Sequence, residues 1–359
     1  MPVLLIIAAL AVLIVVHEMG HFFAARLQGI HVNRFSIGFG PALWKYQGPE
    51  TEYALRAIPL GGFVGFPDDD PESEIPPTDP DLLRNRPVLD RAIVISAGVI
   101  ANLVFAYFVL VGQVGLLGVP VTTEPGILVP EVVTASSSVA ADAGIQKGDV
   151  ILSANGQEFG RSPRDISELQ QIIRSSVEQP IELTVKRGEQ TLPITLVPEA
   201  GENGVGKVGI GLSPNGEVTS RAARGLGEMI TMATQEFQYM VTTTAKGYLQ
   251  LFTNFAEVAN QVSGPIGIVE QGAKLTQNNV LSILPFTAII SINLAILNIL
   301  PLPALDGGQL VFLLIEALRG KPLPQRLQEG VMQTGLLLLL GLGIVLIVRD
   351  TVQLDVFQR

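Results

Sequence analysis

Val15-Val16-His17-Glu18-Met19-Gly20-His21 lies inside an apolar N-terminal run, and its reading decides both the fold and the chemistry. In a helix, His17 and His21 fall one turn apart on the same face, where both reach a single metal ion. Glu18 follows the first histidine, placed to take a proton from a metal-bound water. The spacing is the H-E-x-x-H pattern of zinc hydrolases. His, Glu and His inside a hydrophobic segment are costly to hold in a membrane unless something there requires them.

The apolar run is continuous over residues 2–16 and resumes with Phe22-Phe23-Ala24-Ala25 after the polar interruption. A cleaved signal peptide is the competing reading, but the start carries no Lys or Arg and a discarded peptide has no use for the motif. A retained span over residues 1–27 is long enough, since about 20 residues cross the hydrocarbon. At about 1.5 Å per residue, His17 then lies about 22 Å from the helix start, towards the far leaflet.

Composition agrees with a membrane protein that also carries soluble mass. The 359 residues are 48% hydrophobic and only 16% charged, below the roughly 25% charged of soluble domains. Mean hydropathy is +0.42. A formal net charge of -10 argues against nucleic acid as a partner, because a basic patch is required there. The absence of cysteine removes disulfides, thiolate ligands and a cysteine nucleophile. Of the three histidines, His17, His21 and His31, two belong to the motif.

Arg26 at the end of the first span and Arg34, Lys45, Arg56, Arg84, Arg86 and Arg91 beyond it place residues 28–91 in the cytoplasm and Met1 outside. Within that segment Phe35–Pro41 and Tyr53–Phe66 read as short strands with glycine turns. The second includes Pro59-Leu60-Gly61-Gly62-Phe63-Val64, either a surface hairpin or a sheet dipping into the membrane beside the metal. A second span follows at 92–119. Its Asn102 reads first as a helix–helix hydrogen bond and second as a group of the site. Residues 124–200 alternate β-rich segments with glycine turns. Ala143-Gly144-Ile145, followed by Lys147-Gly148-Asp149-Val150-Ile151, resembles a single PDZ domain, a β module that captures peptides at a sheet edge. A rigid spacer is the alternative use of such a module. Residues 201–279 read as a linker containing an amphipathic helix, with a stripe from Leu226 to Phe255 suited to an interface. The third span, 280–318, is broken by Pro301 and Pro303, and Arg319, Lys321 and Arg326 mark a second cytoplasmic loop. The last span is 330–348. The expected fold is therefore a polytopic α-helical membrane protein of about four spans, with a membrane-associated β segment and one inserted extracytoplasmic PDZ-like β domain.

Two histidines leave a catalytic zinc site one protein ligand short. With no cysteine available, a carboxylate is expected. The first and third spans run in the same direction, so their C-terminal ends meet on one face of the membrane, bringing Asp306 towards His17 and His21. Glu316, about three turns further on and facing a basic loop, is the competitor. Asp306 is favoured because a carboxylate in an apolar, proline-broken segment needs a partner.

With these motifs in order, the chain resembles the site-2 protease family of intramembrane zinc metalloproteases, in its bacterial regulator-of-sigma-E branch. The matching residues are His17-Glu18-Met19-Gly20-His21, Gly38-Phe39-Gly40-Pro41, Pro59 to Val64, and an N-x-x-P-x-P-x-L-D-G motif at Asn298, Pro301, Pro303, Leu305, Asp306 and Gly307. The resemblance implies Zn2+ on His17, His21 and Asp306, with Glu18 as catalytic base. It gives a substrate-facing role to Asn298, Pro301 and Pro303, extends it to Gly61 and Gly62 in a membrane-reentrant β structure, and leaves Asn102 as a further candidate. It implies substrates that are single-pass membrane proteins, such as an anti-sigma factor or signal-peptide remnants, and a bilayer that is a bacterial cytoplasmic or a plastid membrane. The chain departs from the best-known enterobacterial member in having room for one PDZ domain rather than two, and in Val99 where many relatives have proline. A PDZ-based scaffold with a structural metal would favour four protein ligands, and an ion transporter would show inverted repeats. Neither pattern is present.

Overall fold

The structure is a computed structural model that describes residues 2–70, 73–133, 139–201, 205–253 and 263–353. Helix α1 (Pro2–Leu27) forms where an apolar run leaves the backbone no partner but itself. Strands β1 (Arg34–Gln47) and β2 (Glu52–Gly65) follow, each folded over on itself. The first part of β1 pairs antiparallel with the end of β2, from Arg34↔Gly65 to Ile37↔Gly62, and parallel with its start, from Arg34↔Glu52 to Ile37↔Leu55. The second part of β1 runs antiparallel to that same start, from Ala42↔Arg56 to Gln47↔Glu52. Four extended segments result, in the order 62–65, 34–37, 52–55, 42–47. The folds fall where Gly38 and Gly61 adopt left-handed φ of 86° and 88°. Phe22, Phe35 and Tyr53 stack edge to face and fasten this sheet to α1.

Helix α2 (Val88–Leu117) buries Val94, Gly98, Asn102, Ala106, Leu110 and Val114. A four-residue repeat of this kind presents one stripe to protein and leaves Ile93, Ile100, Val104 and Phe108 exposed to lipid.

Residues Gly115–Leu226 form a second compact unit. A ribbon pairs β3 (Val119–Thr122) with a strand at Val218–Arg221. Between them lies a sheet whose core strands are β4 (Ile127–Leu128), β5 (Val150–Ala154), β6 (Gln157–Glu158), β7 (Ile181–Arg187) and β8 (Gln190–Leu196), the last two forming a seven-pair hairpin. Helix α3 (Val139–Asp142) and helix α4 (Asp165–Ser175) cover it, burying Ala140, Leu169 and Ile173 against Ile127, Ile151, Ile181 and Val185. The unit runs further than the expected 124–200, because Ser213–Pro214 pairs with β4 and 218–221 with β3. Both additions are too short to show as strands in the sequence.

The membrane unit resumes with α5 (Leu226–Thr253), which docks on α2 through a Tyr107–Thr234 hydroxyl pair at 3.0 Å and an edge-to-face Tyr107–Phe237 contact. Phe255, at the end of the expected stripe, lies outside the described residues. Helices α6 (Pro265–Asn278), α7 (Ile283–Ile299), α8 (Asp306–Arg319) and α9 (Gln325–Gln353) complete the chain. Helix α6 packs on the start of α1, Gly272 against Ile6. Its N-terminus has no cap of its own. Asp350, buried at the end of α9, serves instead, accepting the Gly267 N–H at 2.8 Å and the Gly264 N–H at 3.4 Å. Among the described residues, α1, α2, the stretch Val280–Ile299 and α9 are long and apolar enough to cross a membrane. Their hydrocarbon-facing surfaces make this a multi-pass membrane protein in contact with lipid.

In the β unit, Asp149 is buried and receives Arg187 Nε and Nη2, both at 2.7 Å, and the Gln146 N–H at 2.8 Å. Burial pushes the carboxyl up, but the Arg187 bonds, the Gln146 N–H and the guanidinium charge together hold it below its ordinary 3.8. A carboxylate with a depressed folded pKa stabilises above its unfolded value, about 3.9, and loses that contribution as pH falls through the folded one. The β unit is therefore expected to become more sensitive to proteolysis from about pH 4 downwards. Asp149→Asn should be less stable at neutral pH and should flatten that acid limb, as followed by protease digestion across a pH series.

Candidate metal centre

Helices α1 and α2 come close together at the depth of the motif. Gly20 of α1 faces the backbone of Ala97, and a Cβ there would come within 2.8 Å of the Ala101 Cβ. Gly98 of α2 faces the motif itself. A Cβ on Gly98 would overlap His21 Nε2 and lie 2.7 Å from His17 Cε1. The two helices can therefore meet at this depth only with glycine at both positions, the small-residue packing expected between spans.

That approach sets the imidazoles. His21 Nδ1 donates to the Val94 carbonyl of α2 at 2.8 Å. This holds the proton on Nδ1 and leaves the Nε2 lone pair free. His17 Nε2 lies 3.2 Å from His21 Nε2. Asp306, the first residue of α8, brings Oδ2 to 3.3 Å from His17 Nε2 and 3.4 Å from His21 Nε2. Nitrogen and oxygen ligands at zinc distances of about 2.0–2.2 Å in a tetrahedron stand about 3.3–3.6 Å apart. The three atoms thus have the separations of one tetrahedral face. Asp306 Oδ2 is buried and, apart from those two rings, has no hydrogen-bond partner among the described residues. This is a donor set that fits zinc.

Asp306 arrives there because the chain is broken before it. Helix α7 ends at Ile299, Pro301 and Pro303 prevent its continuation, and Ala304 takes a left-handed φ of 69°. The Leu302 N–H bonds the Leu300 carbonyl at 2.7 Å and the Leu305 N–H the Leu302 carbonyl at 3.3 Å, so the turn is tight enough to restart a helix at Asp306. Glu18 stands beside the three-atom cluster. Its Cγ faces Gly62, where a Cβ would come within 2.9 Å, and the Val64 N–H bonds its carboxylate. The end of β2 is thereby the wall behind Glu18.

The expected residues are brought together unevenly. His17, His21, Asp306 and Glu18 converge, and Gly62 touches Glu18. Gly61 instead faces the Phe39 ring. Asn102 is fully buried on α2, its side-chain amide 3.4 Å from His17 Nδ1 and its backbone carbonyl bonded by Ser291 Oγ of α7 at 2.8 Å. It therefore serves the helix interface and the histidine at once. Asn298 is half-buried near the end of α7 with no side-chain hydrogen bond among the described residues, and Pro301 and Pro303 shape the turn. Glu316, the competing carboxylate, is taken by Arg91 at the start of α2 in a two-pronged ion pair with one contact of 3.1 Å. A second His/Asp group, His31 with Asp79 and Asp81, sits between α1 and α2 in the chain, where Arg86 already engages Asp81 at 2.8 Å. Gly98 was legible only as a small residue in a span, and the Val94 carbonyl carried no side-chain signal at all.

These donors converge among apolar helices, and the class of protein is a membrane-embedded zinc metalloprotease. The profile described as Peptidase family M50 matches residues 5–342, and the chain belongs to that family, the site-2 proteases. A chain of Nostoc sp., provisionally named a zinc metalloprotease, is 63% identical, covering 99% of this chain and 97% of that one. The chloroplastic membrane metalloprotease ARASP of Arabidopsis thaliana is 46% identical, covering 98% and 79%. The regulator of sigma-E protease RseP of Escherichia coli is 30% identical, covering 94% and 96%. A solved PDZ domain from Listeria monocytogenes is 25% identical over 24% of this chain and 86% of that one. Its TM-score of 0.21 carries no argument.

Gly98→Ala tests the packing behind the site. The added methyl has to displace an imidazole or part α1 from α2, so zinc affinity is expected to fall by about 10–100-fold, the usual consequence of disturbing what orients a metal-binding histidine. Zinc retained by purified Gly98→Ala after dialysis against graded chelator, compared with the parent chain, reads this directly.

Proposed function

We propose that this protein hydrolyses peptide bonds in or near the transmembrane segments of single-pass membrane proteins, holding zinc with His17, His21 and Asp306 and using Glu18 as the base. The observation that carries the proposal is the triangle of His17 Nε2, His21 Nε2 and Asp306 Oδ2 at 3.2–3.4 Å, with Glu18 alongside. When bound, zinc supplies Lewis acidity at the scissile carbonyl and a water of lowered pKa.

The chain's own residues do the rest. Glu18 takes the proton of the attacking water and delivers it to the leaving amine, and Gly62 and the Val64 N–H keep its carboxylate in place. His21 keeps its proton on Nδ1 through Val94. With its amide oriented so that Oδ1 faces the ring, Asn102 accepts the Nδ1 proton of His17 and frees Nε2 for the metal; the same rotation gives its otherwise unpartnered Oδ1 a donor. A helical substrate hides its carbonyls in internal bonds and must unwind. The outer segment 62–65 of the β1–β2 sheet offers an edge on which the extended stretch pairs, replacing those bonds beside Glu18. Asn298, Pro301 and Pro303 shape the segment facing the substrate.

The PDZ-like unit, extracytoplasmic by the parity of the spans, screens substrates by bulk or by capturing a peptide or protein tail. Among membranes, the bacterial cytoplasmic membrane fits the positive loops, and a plastid membrane obeys the same rule.

Purified parent, Glu18→Gln and Asp306→Ala chains, assayed for zinc content and for cleavage of a single-pass reporter, test the chemistry. Glu18→Gln should keep its zinc and lose about 10²–10⁴-fold in rate, whereas Asp306→Ala should lose the metal. Zinc retained in full by Asp306→Ala would remove that residue from the ligand set. For the screening role, excising residues 123–217 with a short linker leaves the β3 ribbon to close the gap. Precursors with bulky extracytoplasmic domains should then be cleaved, and unchanged selectivity would refute the gate.

A further inference from the structure

Beside the broken turn, the first half of α9 forms a groove with Leu302 and Pro303 of about 530 Å³. Leu327, Val331, Leu338 and Leu339 make it apolar, and Arg326 stands at its cytoplasmic end. Arg326 makes no ion pair among the described residues. On the same face Arg34, Arg84, Arg86 and Arg91 each have a carboxylate, in Asp70, Asp68, Asp81 and Glu316. An arginine left without an anion at the mouth of an apolar groove is the complement of a molecule with an anionic head and a hydrocarbon tail.

The dimensions select the molecule. From Arg326 to Leu339 is 339 − 326 = 13 residues, or about 20 Å of helix. One leaflet contributes about 15 Å of hydrocarbon, with the head-group layer beyond it. The groove thus spans the depth of a single leaflet, with its cation where the phosphates lie. The positive loops make that leaflet the cytoplasmic one, and basic pockets between spans on this side take anionic head groups.

We propose that this groove binds one anionic glycerophospholipid of the cytoplasmic leaflet, phosphate on Arg326 and one acyl chain along α9 against Leu302 and Pro303. The chain props the turn that leads into Asp306, so the lipid supports the segment carrying that carboxylate. This binding stands apart from proteolysis and is read without it.

The test uses the full-length protein in nanodiscs containing equal amounts of phosphatidylglycerol and phosphatidylcholine, followed by extraction into mild detergent and native mass spectrometry. The parent should retain one phosphatidylglycerol in preference to phosphatidylcholine by about fivefold, the discrimination expected of one basic side chain at the surface. Arg326→Gln should lose the preference, and Arg319→Gln, which removes a charge outside the groove, should keep it. No preference in the parent, or a preference that survives Arg326→Gln, overturns the proposal. Equal loss in Arg319→Gln overturns it too, since binding would then reflect the general positive charge of the loop.

Discussion

Two glycines in contact with the opposite helix are the constraint on which this membrane unit depends. Gly20 lets the backbone of α2 approach α1, and Gly98 leaves the space that the two imidazoles occupy. Once that distance is fixed, the Val94 carbonyl reaches His21 Nδ1 and Asn102 reaches His17. Orientation of the histidines is thus a by-product of helix packing. No separate element is devoted to it, which suits a membrane interior where every added polar group carries a desolvation cost.

The third member of the triangle is held differently. Asp306 depends on a turn of two prolines and on α8, whose far end is anchored to the start of α2 by Arg91 and Glu316. Both side chains of that pair are about 15% exposed, and removing one partner of a largely buried pair typically costs about 3–5 kcal/mol. The first residue of α8 approaches the histidines while its last turn is anchored to the helix that orients them. A carboxylate on a separate segment is in this way made part of the same rigid body as the imidazoles.

Much of this was legible in the sequence because it rests on periodicity and parity. The four-residue spacing of His17 and His21 requires only a helix, and the common direction of the first and third spans is enough to bring Asp306 to them. The partner of Glu316 could be found only in the fold, since Arg91 lies 225 residues away in the chain. Gly98 was silent for a related reason: its importance is set by which face of α2 meets α1, and a glycine reveals nothing about facing. The sheet was legible as strands but not as four segments, because β1 and β2 fold over on themselves and each residue of 34–37 pairs on two sides. The extension of the β unit to residue 221 rests on strands of two and four residues, too short for any alternating pattern to show.

Helix α9 is fastened near its C-terminus and at one place within its first half, and is little buried elsewhere. Only 6% of its apolar window is buried, against 33% for α2. The C-terminal end is held by the Asp350 cap on α6, and the first half where Gly335 meets Pro303 and the Ala304 N–H meets Met332 Sδ at 3.3 Å. A rod pinned at two points can swing about either pin if the other is released. Releasing the outer one forfeits the two N–H bonds to the Asp350 carboxylate, each about 1.5–3 kcal/mol. The bundle is therefore mechanically anisotropic, stiff along the wall that grips the histidines and compliant along the wall that α9 forms.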